Sequence, residues 1–177
     1  KQLKENKCYI LCKYQKIIKE VEEDIEININ SFVDLSETIP DLIPDTVKNN
    51  LDDLKNKAQK LIAKPEAVLK FYRALHSHEQ KISFPEISGE PTDWAHIRWL
   101  QVQMLFATDM YIRYQGQLRN MLLKNKVRTK VEHDVHDAQI LTLAILEGAI
   151  TIKEKKLIKW FKLLRPNETI YSDGLSE

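Results

Sequence analysis

The residues of this chain best suited to chemistry form one short run, Asp134-Val135-His136-Asp137. Residues three apart share a helix face, so Asp134 and Asp137 can present two carboxylates together. Carboxylate oxygens suit hard divalent cations such as Mg2+ and Mn2+, which keep several of their waters. A cluster of acids holding one or two such ions generates a hydroxide nucleophile and stabilises charge on a cleaved phosphate. The same spacing has a plainer use: acids in the first turn of a helix cap its N–H groups and complement its dipole.

Other candidates are weaker. His133 and His136 lie three apart beside Asp137, His76 and His78 two apart, and His96 opens an apolar stretch. Zinc would need tetrahedral ligands, yet no cysteine lies near these histidines and no HExxH occurs. Asp109 interrupts the apolar stretch Met104–Ile112. A buried carboxylate is costly unless paired, and Arg113, four residues on, is its natural partner on a helix; a solvent-facing flank is the alternative. Lys124, Lys126, Arg128 and Lys130 alternate just ahead of the acids. Beside an acidic metal site they would grip a phosphate backbone; elsewhere they are a solvated basic loop. The chain has no Gly-rich phosphate loop, nucleophile elbow or helix-turn-helix.

The elements that must position these residues are mostly helical by pattern. Apolar residues from Leu3 to Ile25 fall near helical spacing, with a strand at Cys8–Cys12 and a helix from Gln15 as the alternative. Ile27–Pro44 reads as turn-rich. Asp45 is expected to cap a helix to about Ala63, Lys64-Pro65 to interrupt it, and a further helix to run from Glu66 to His76. Lys81–Pro91 is a loop. Asp93 is expected to cap Trp94–Tyr114, the most apolar segment and the expected central helix, with Gly116 ending it. Gln117–Lys126 makes a short helix. After the basic stretch and the acids comes an apolar helix, Ala138–Glu147, closed by Gly148. Ala149–Ile152 reads as a short buried strand, Glu154–Leu164 as an amphipathic helix, and Thr169–Tyr171 as β-prone. The result is one helix-rich domain over 1–177, with 27–44 and 77–92 loop-rich and 173–177 a polar tail.

From about residue 132 to 172 this order resembles the C-terminal half of PIN-like nuclease domains. The acids Asp134 and Asp137 open a helix rich in Ala and Leu. It passes through Gly148-Ala149 into Ile150-Thr151-Ile152, then Lys153-Glu154-Lys155-Lys156, a helix, and Thr169-Ile170-Tyr171. The resemblance implies an α/β, helix-dominated fold with a small parallel sheet flanked by helices, in which 149–152 and 169–171 are neighbouring strands; an all-α fold is the alternative. It implies a catalytic metal site of Asp134, Asp137 and Glu154 holding Mg or Mn, with Glu20 as a further ligand from an early helix. It also implies Lys155 as a basic residue beside the site, and RNA as the substrate gripped by Lys124, Lys126, Arg128, Lys130 and Lys155. The family's opening strand with its aspartate has no counterpart here. If the chain, which begins at Lys1, is a fragment, that strand was lost with a missing N-terminal segment; if it is complete, the metal site is crippled or the resemblance is false. Glu154 stands where the family usually has aspartate, with Lys153 placed to neutralise it.

Composition sets the frame. The 177 residues are 43% hydrophobic and 30% charged with only four glycines and six prolines, which favours a folded, helical chain. A net charge of +1 leaves nucleic-acid binding to local patches. No apolar run approaches the roughly 20 residues that span a bilayer, so a cytoplasmic protein without a membrane partner is expected. Cys8 and Cys12, four apart, read as buried free thiols in a reducing compartment. The rival to the nuclease is a non-catalytic helical protein-interaction domain, in which the same acids cap helices and Trp94–Tyr114 packs a core or a partner.

Overall fold

The computed structural model describes residues 2–43, 50–77, 94–151 and 153–171, with side chains described from Lys16 onward except at 74–77. Among these, seven helices follow in order: α1 Gln2–Leu42, α2 Leu51–Ile62, α3 Pro65–Ser77, α4 Ala95–Tyr114, α5 Leu118–Met121, α6 Asn125–Glu147 and α7 Lys155–Leu164.

Helix α4 is the hub because it is apolar nearly all round. Ile97, Leu100, Val102, Met104, Leu105, Phe106, Ala107 and Met110 are buried, and α1, α2, α3 and α6 all pack on it. Phe106 stacks on Phe32 of α1 (centroids 5.8 Å apart) and meets Trp160 of α7 edge to face at 4.8 Å, tying three helices together. Buried polar groups of α4 serve the ends of its neighbours, whose last carbonyls lack partners within their own helices. Gln101 Nε2 donates to the carbonyl of Ile62 (2.7 Å), and Arg98 Nη1 donates to Gln101 Oε1 (3.1 Å) and to the carbonyl of Leu164 (3.2 Å). The helix ends in left-handed backbone at Gln115 (φ 51) and Gly116 (φ 73), where the expected glycine stop falls. Gly148 (φ 74) closes α6 in the same way, its N–H donating to Ala144 O.

Two segments are more helical than their local sequence suggests. The expected turn-rich region 27–44 is instead the packed half of α1, continuous to Leu42 with Pro40 inside it. Ile29, Phe32, Val33, Ser36, Ile39 and Ile43 repeat at three- and four-residue steps and are buried. Burial of that stripe outweighs the weak propensities of Ser31, Ser36 and Thr38. Ser36 and Thr38 turn their hydroxyls back onto Val33 O and Leu35 O within the helix, and Pro40 falls in the last turn, where it removes one bond. Helix α6 likewise begins at Asn125, so the basic stretch and the acids are one helix and not a loop followed by a start. Val131 and Val135, both buried, continue the face of Ala138, Leu141 and Ile145 and draw the earlier turns into the helix.

The parallel sheet is replaced by a single bridge. Ile150 and Ile170 pair in parallel, with the Tyr171 N–H donating to Ile150 O at 3.0 Å, and among the described residues there are no strands. Ile150 is buried while Ala149 and Thr151 beside it are exposed; a parallel sheet needs both of its faces covered, and the exposed neighbours of Ile150 leave one side open to solvent. The fold is helix-dominated. The loop-rich segment at 77–92 lies, from residue 78, outside the described residues, as do the expected caps Asp45 and Asp93, His78 and the tail from 173. α2 starts later than expected, at Leu51, where Asn50 Oδ1 accepts from the Asp53 N–H at 3.0 Å. No helix among the described residues is long and apolar enough to cross a membrane.

Candidate functional site

The acids singled out above meet where α4, α6 and the start of α7 come together. Asp109 and Arg113 sit one turn apart on α4, Asp134 and Asp137 one turn apart on α6, and Glu154 and Lys156 flank the first residue of α7. Asp134 is the centre, with its side chain only 6% exposed. Arg113 Nη1 donates to its Oδ2 at 2.6 Å, and Lys156 Nζ donates to its Oδ1 at 3.1 Å. Arg113 also pairs with Asp109 through Nη2, as the spacing on α4 anticipated.

Lys156 stands against the dipole at the N-terminus of α7, where a cation is unfavourable. Asp134 and two aromatic faces compensate: its ammonium lies 5.0 Å from the Phe106 centroid and 5.2 Å from that of Trp160, a cation–π arrangement. Burial opposes the charge of Arg113, but the hydrogen bond and charge of Asp134, with the charge of Asp109, outweigh it and hold the guanidinium firmly protonated.

The structure therefore does bring Asp134, Asp137 and Glu154 together. Burial, the neighbouring charge of Asp137 and, more weakly, that of Asp134 and a hydrogen bond with Asp137 push the Glu154 carboxyl above the usual range; the charge of Lys156, 3.9 Å away, pulls the other way. What sequence could not place are the cations within the cluster. Asp134 has two basic partners, and a metal ion would have to displace both. Among the described residues no group of three or more His, Cys, Asp or Glu is disposed to hold a metal.

The acids are also not where either sequence reading put them. Asp134 and Asp137 lie in the middle of α6, so they neither open nor cap a helix. Glu154 takes the N-cap position of α7, but its side chain makes no capping hydrogen bond. Glu20 is on an exposed stretch of α1, its side chain 60% exposed and 3.7 Å from Lys16 of its own helix. The basic residues do not form a strip. Once α6 is helical from Asn125, positions two apart point to different sides: Lys124, Lys126 and Lys130 are exposed, while Arg128 is engaged by Glu26 and by Glu132 at 3.2 Å. Lys155 is exposed at the start of α7. His133 and His136 are exposed, and His96 packs its ring against Tyr72 and Trp99.

No protein family, curated protein or solved structure matches this chain. The site must be read from its own chemistry.

A second surface, which residue-by-residue reading missed, is on α1. Residues 16–24 are all exposed, among them Ile17 at 45%, Ile18 at 55% and Val21 at 48%. The signal was present in the sequence as helical apolar spacing from Leu3 to Ile25. It reads as core until the structure ends the helical body near Ile25.

Proposed function

We propose that this chain is a non-catalytic helical interaction domain, in which the bundle around α4 supports the N-terminal half of α1 as a docking arm. The observation that carries the reading is the exposed apolar stripe of Ile18 and Val21, in line with the buried stripe of Ile29, Phe32 and Ile39. Most helical stability in proteins comes from packing of an amphipathic face, so an apolar face continued beyond the body calls for a partner helix. Asp134 belongs to the architecture on this reading, since its charge is already balanced by Arg113 and Lys156.

A specific observation also favours a second reading, the PIN-like Mg- or Mn-dependent nuclease acting on RNA, or a remnant of one. The charges of Asp137 and Asp134 both act on the Glu154 carboxyl, and carboxylates suit such a cation, which on this reading displaces Arg113 and Lys156 from Asp134.

One comparison separates them. The interaction reading expects no RNA cleavage in Mn2+, and expects Ile18→Lys/Val21→Lys to leave the melting temperature of the body unchanged, because those side chains are outside its core. Mn2+-dependent cleavage that disappears in Asp137→Asn would overturn the interaction reading in favour of the nuclease. A large drop in melting temperature for the arm variant would show that the stripe is core.

A further inference from the structure

We infer that the cleft where α1, α2 and α3 meet binds a single-chain amphipathic anion, a long-chain fatty-acid carboxylate. The cleft has a volume of about 550 Å³, within the range of small-molecule sites. It forms at the break set by Lys64-Pro65, because proline disfavours helical backbone in the residue before it. α2 therefore ends at Ile62 and α3 begins at Pro65. Leu42, the last residue of α1, supplies a further wall. With it, Leu61, Ala67 and Phe71 make the apolar floor. All four are half-buried, and Leu42 and Phe71 also pack against the core. Ala67 and Phe71 are one turn apart on α3 and share a face, and the small side chain of Ala67 leaves that face open.

Charge names the other half of the ligand. The rest of the lining is Lys64, Glu66 and Lys70, all exposed, so two lysines and one glutamate give the rim a net charge of +1. Glu66 and Lys70 have the spacing of a helical ion pair. Even so, among the described residues neither Lys64 nor Lys70 is paired with a carboxylate, and both ammonium groups are available to an incoming anion. The cleft also takes in Glu66 and Ala67 of the first turn of α3, where the helix dipole adds to the attraction for negative charge. An acyl chain on the floor with its carboxylate at the rim uses both parts. A small hydrophilic anion would leave the floor bare, and an uncharged lipid would leave the lysines unused.

The experiment is isothermal titration calorimetry of the full chain with dodecanoate below its micellar concentration, beside dodecyltrimethylammonium and acetate. Dodecanoate should bind one to one with a Kd below about 0.5 mM. The cationic amphiphile should bind at least about tenfold more weakly, and acetate should not bind. Lys64→Glu/Lys70→Glu reverses the rim and should weaken dodecanoate at least about tenfold, whereas Glu66→Gln should tighten it. These side chains are exposed, so the melting temperature of each variant should match that of the wild type. Ala67→Trp fills the cleft and should abolish binding in a protein that circular dichroism shows to be folded. The arm variant Ile18→Lys/Val21→Lys should bind as the wild type does, which keeps the result independent of the interaction reading. No saturable binding, several dodecanoates per chain, equal affinity for the cationic amphiphile, or charge variants that bind as the wild type does would each overturn the proposal. So would binding that survives in folded Ala67→Trp or disappears in the arm variant.

Discussion

Replacing Asp134 by alanine removes the anion that two cations share. Arg113 and Lys156 lose contacts of 2.6 and 3.1 Å, and both sit largely inside the protein, their side chains 22% and 26% exposed. Breaking a fully buried ion pair by deleting one partner costs about 3–5 kcal/mol, because the other charge is left uncompensated. Here the cost is reduced on both sides. Arg113 keeps Asp109, and Lys156 keeps Glu154 at 3.9 Å and the faces of Phe106 and Trp160. A loss of about 2–4 kcal/mol is therefore expected, since hydrogen bonds to charged groups contribute about 1.5–3 kcal/mol each. For a domain of this size that lowers the melting temperature by roughly 5–15 °C. Urea titration of wild type, Asp134→Ala, Lys156→Met and the double variant measures it, and the double variant should lose less than the two single losses added together. A loss below about 1 kcal/mol for Asp134→Ala, or additive losses, would refute the account of Asp134 as the shared anion. A metal site made of repelling acids predicts the opposite sign, because removing one carboxylate would then relieve the folded state.

Two further outcomes follow from the same geometry. Glu154 is raised in the folded state by burial and by Asp137, against an ordinary value of 4.5. Between the ordinary and the raised value the folded protein therefore holds a proton that the unfolded chain has released, and this group's penalty is full above its folded pKa and fades as pH falls toward the ordinary value. Glu154→Gln should accordingly be more stable than wild type at neutral pH, with the advantage shrinking on acidification toward pH 4.5, as followed by melting curves across that range; equal stability at neutral pH would contradict the assigned crowding. Leu100 is 4% exposed on the hub helix, and Leu100→Ala should cost about 2–5 kcal/mol in a urea titration, a loss under about 1 kcal/mol showing that its site collapses around the smaller side chain.

Sequence by itself determined what depends on near neighbours along the chain. The apolar surround of α4 marked it as the central helix, and Gly116 and Gly148 marked two helix ends because both need the left-handed backbone that glycine adopts freely. The partnership of Asp109 with Arg113 followed from one helical turn. The adjacency of residues 150 and 170 was also anticipated, though as part of a sheet, where the structure has a single bridge. Tertiary structure decided what depends on distant neighbours. Arg113 and Lys156 lie 21 and 22 residues from Asp134, and no local pattern indicates that they converge on it, so a carboxylate that reads as a ligand or a cap became the shared anion of a buried cluster. The continuity of α1 through Ser31, Ser36 and Pro40, and of α6 through Lys126–Asp137, was decided the same way. Weak local preferences, each of tenths of a kcal/mol, yielded to the burial of Phe32, Ile39, Val131 and Val135 against the hub, each of which contributes about 1.5–3 kcal/mol.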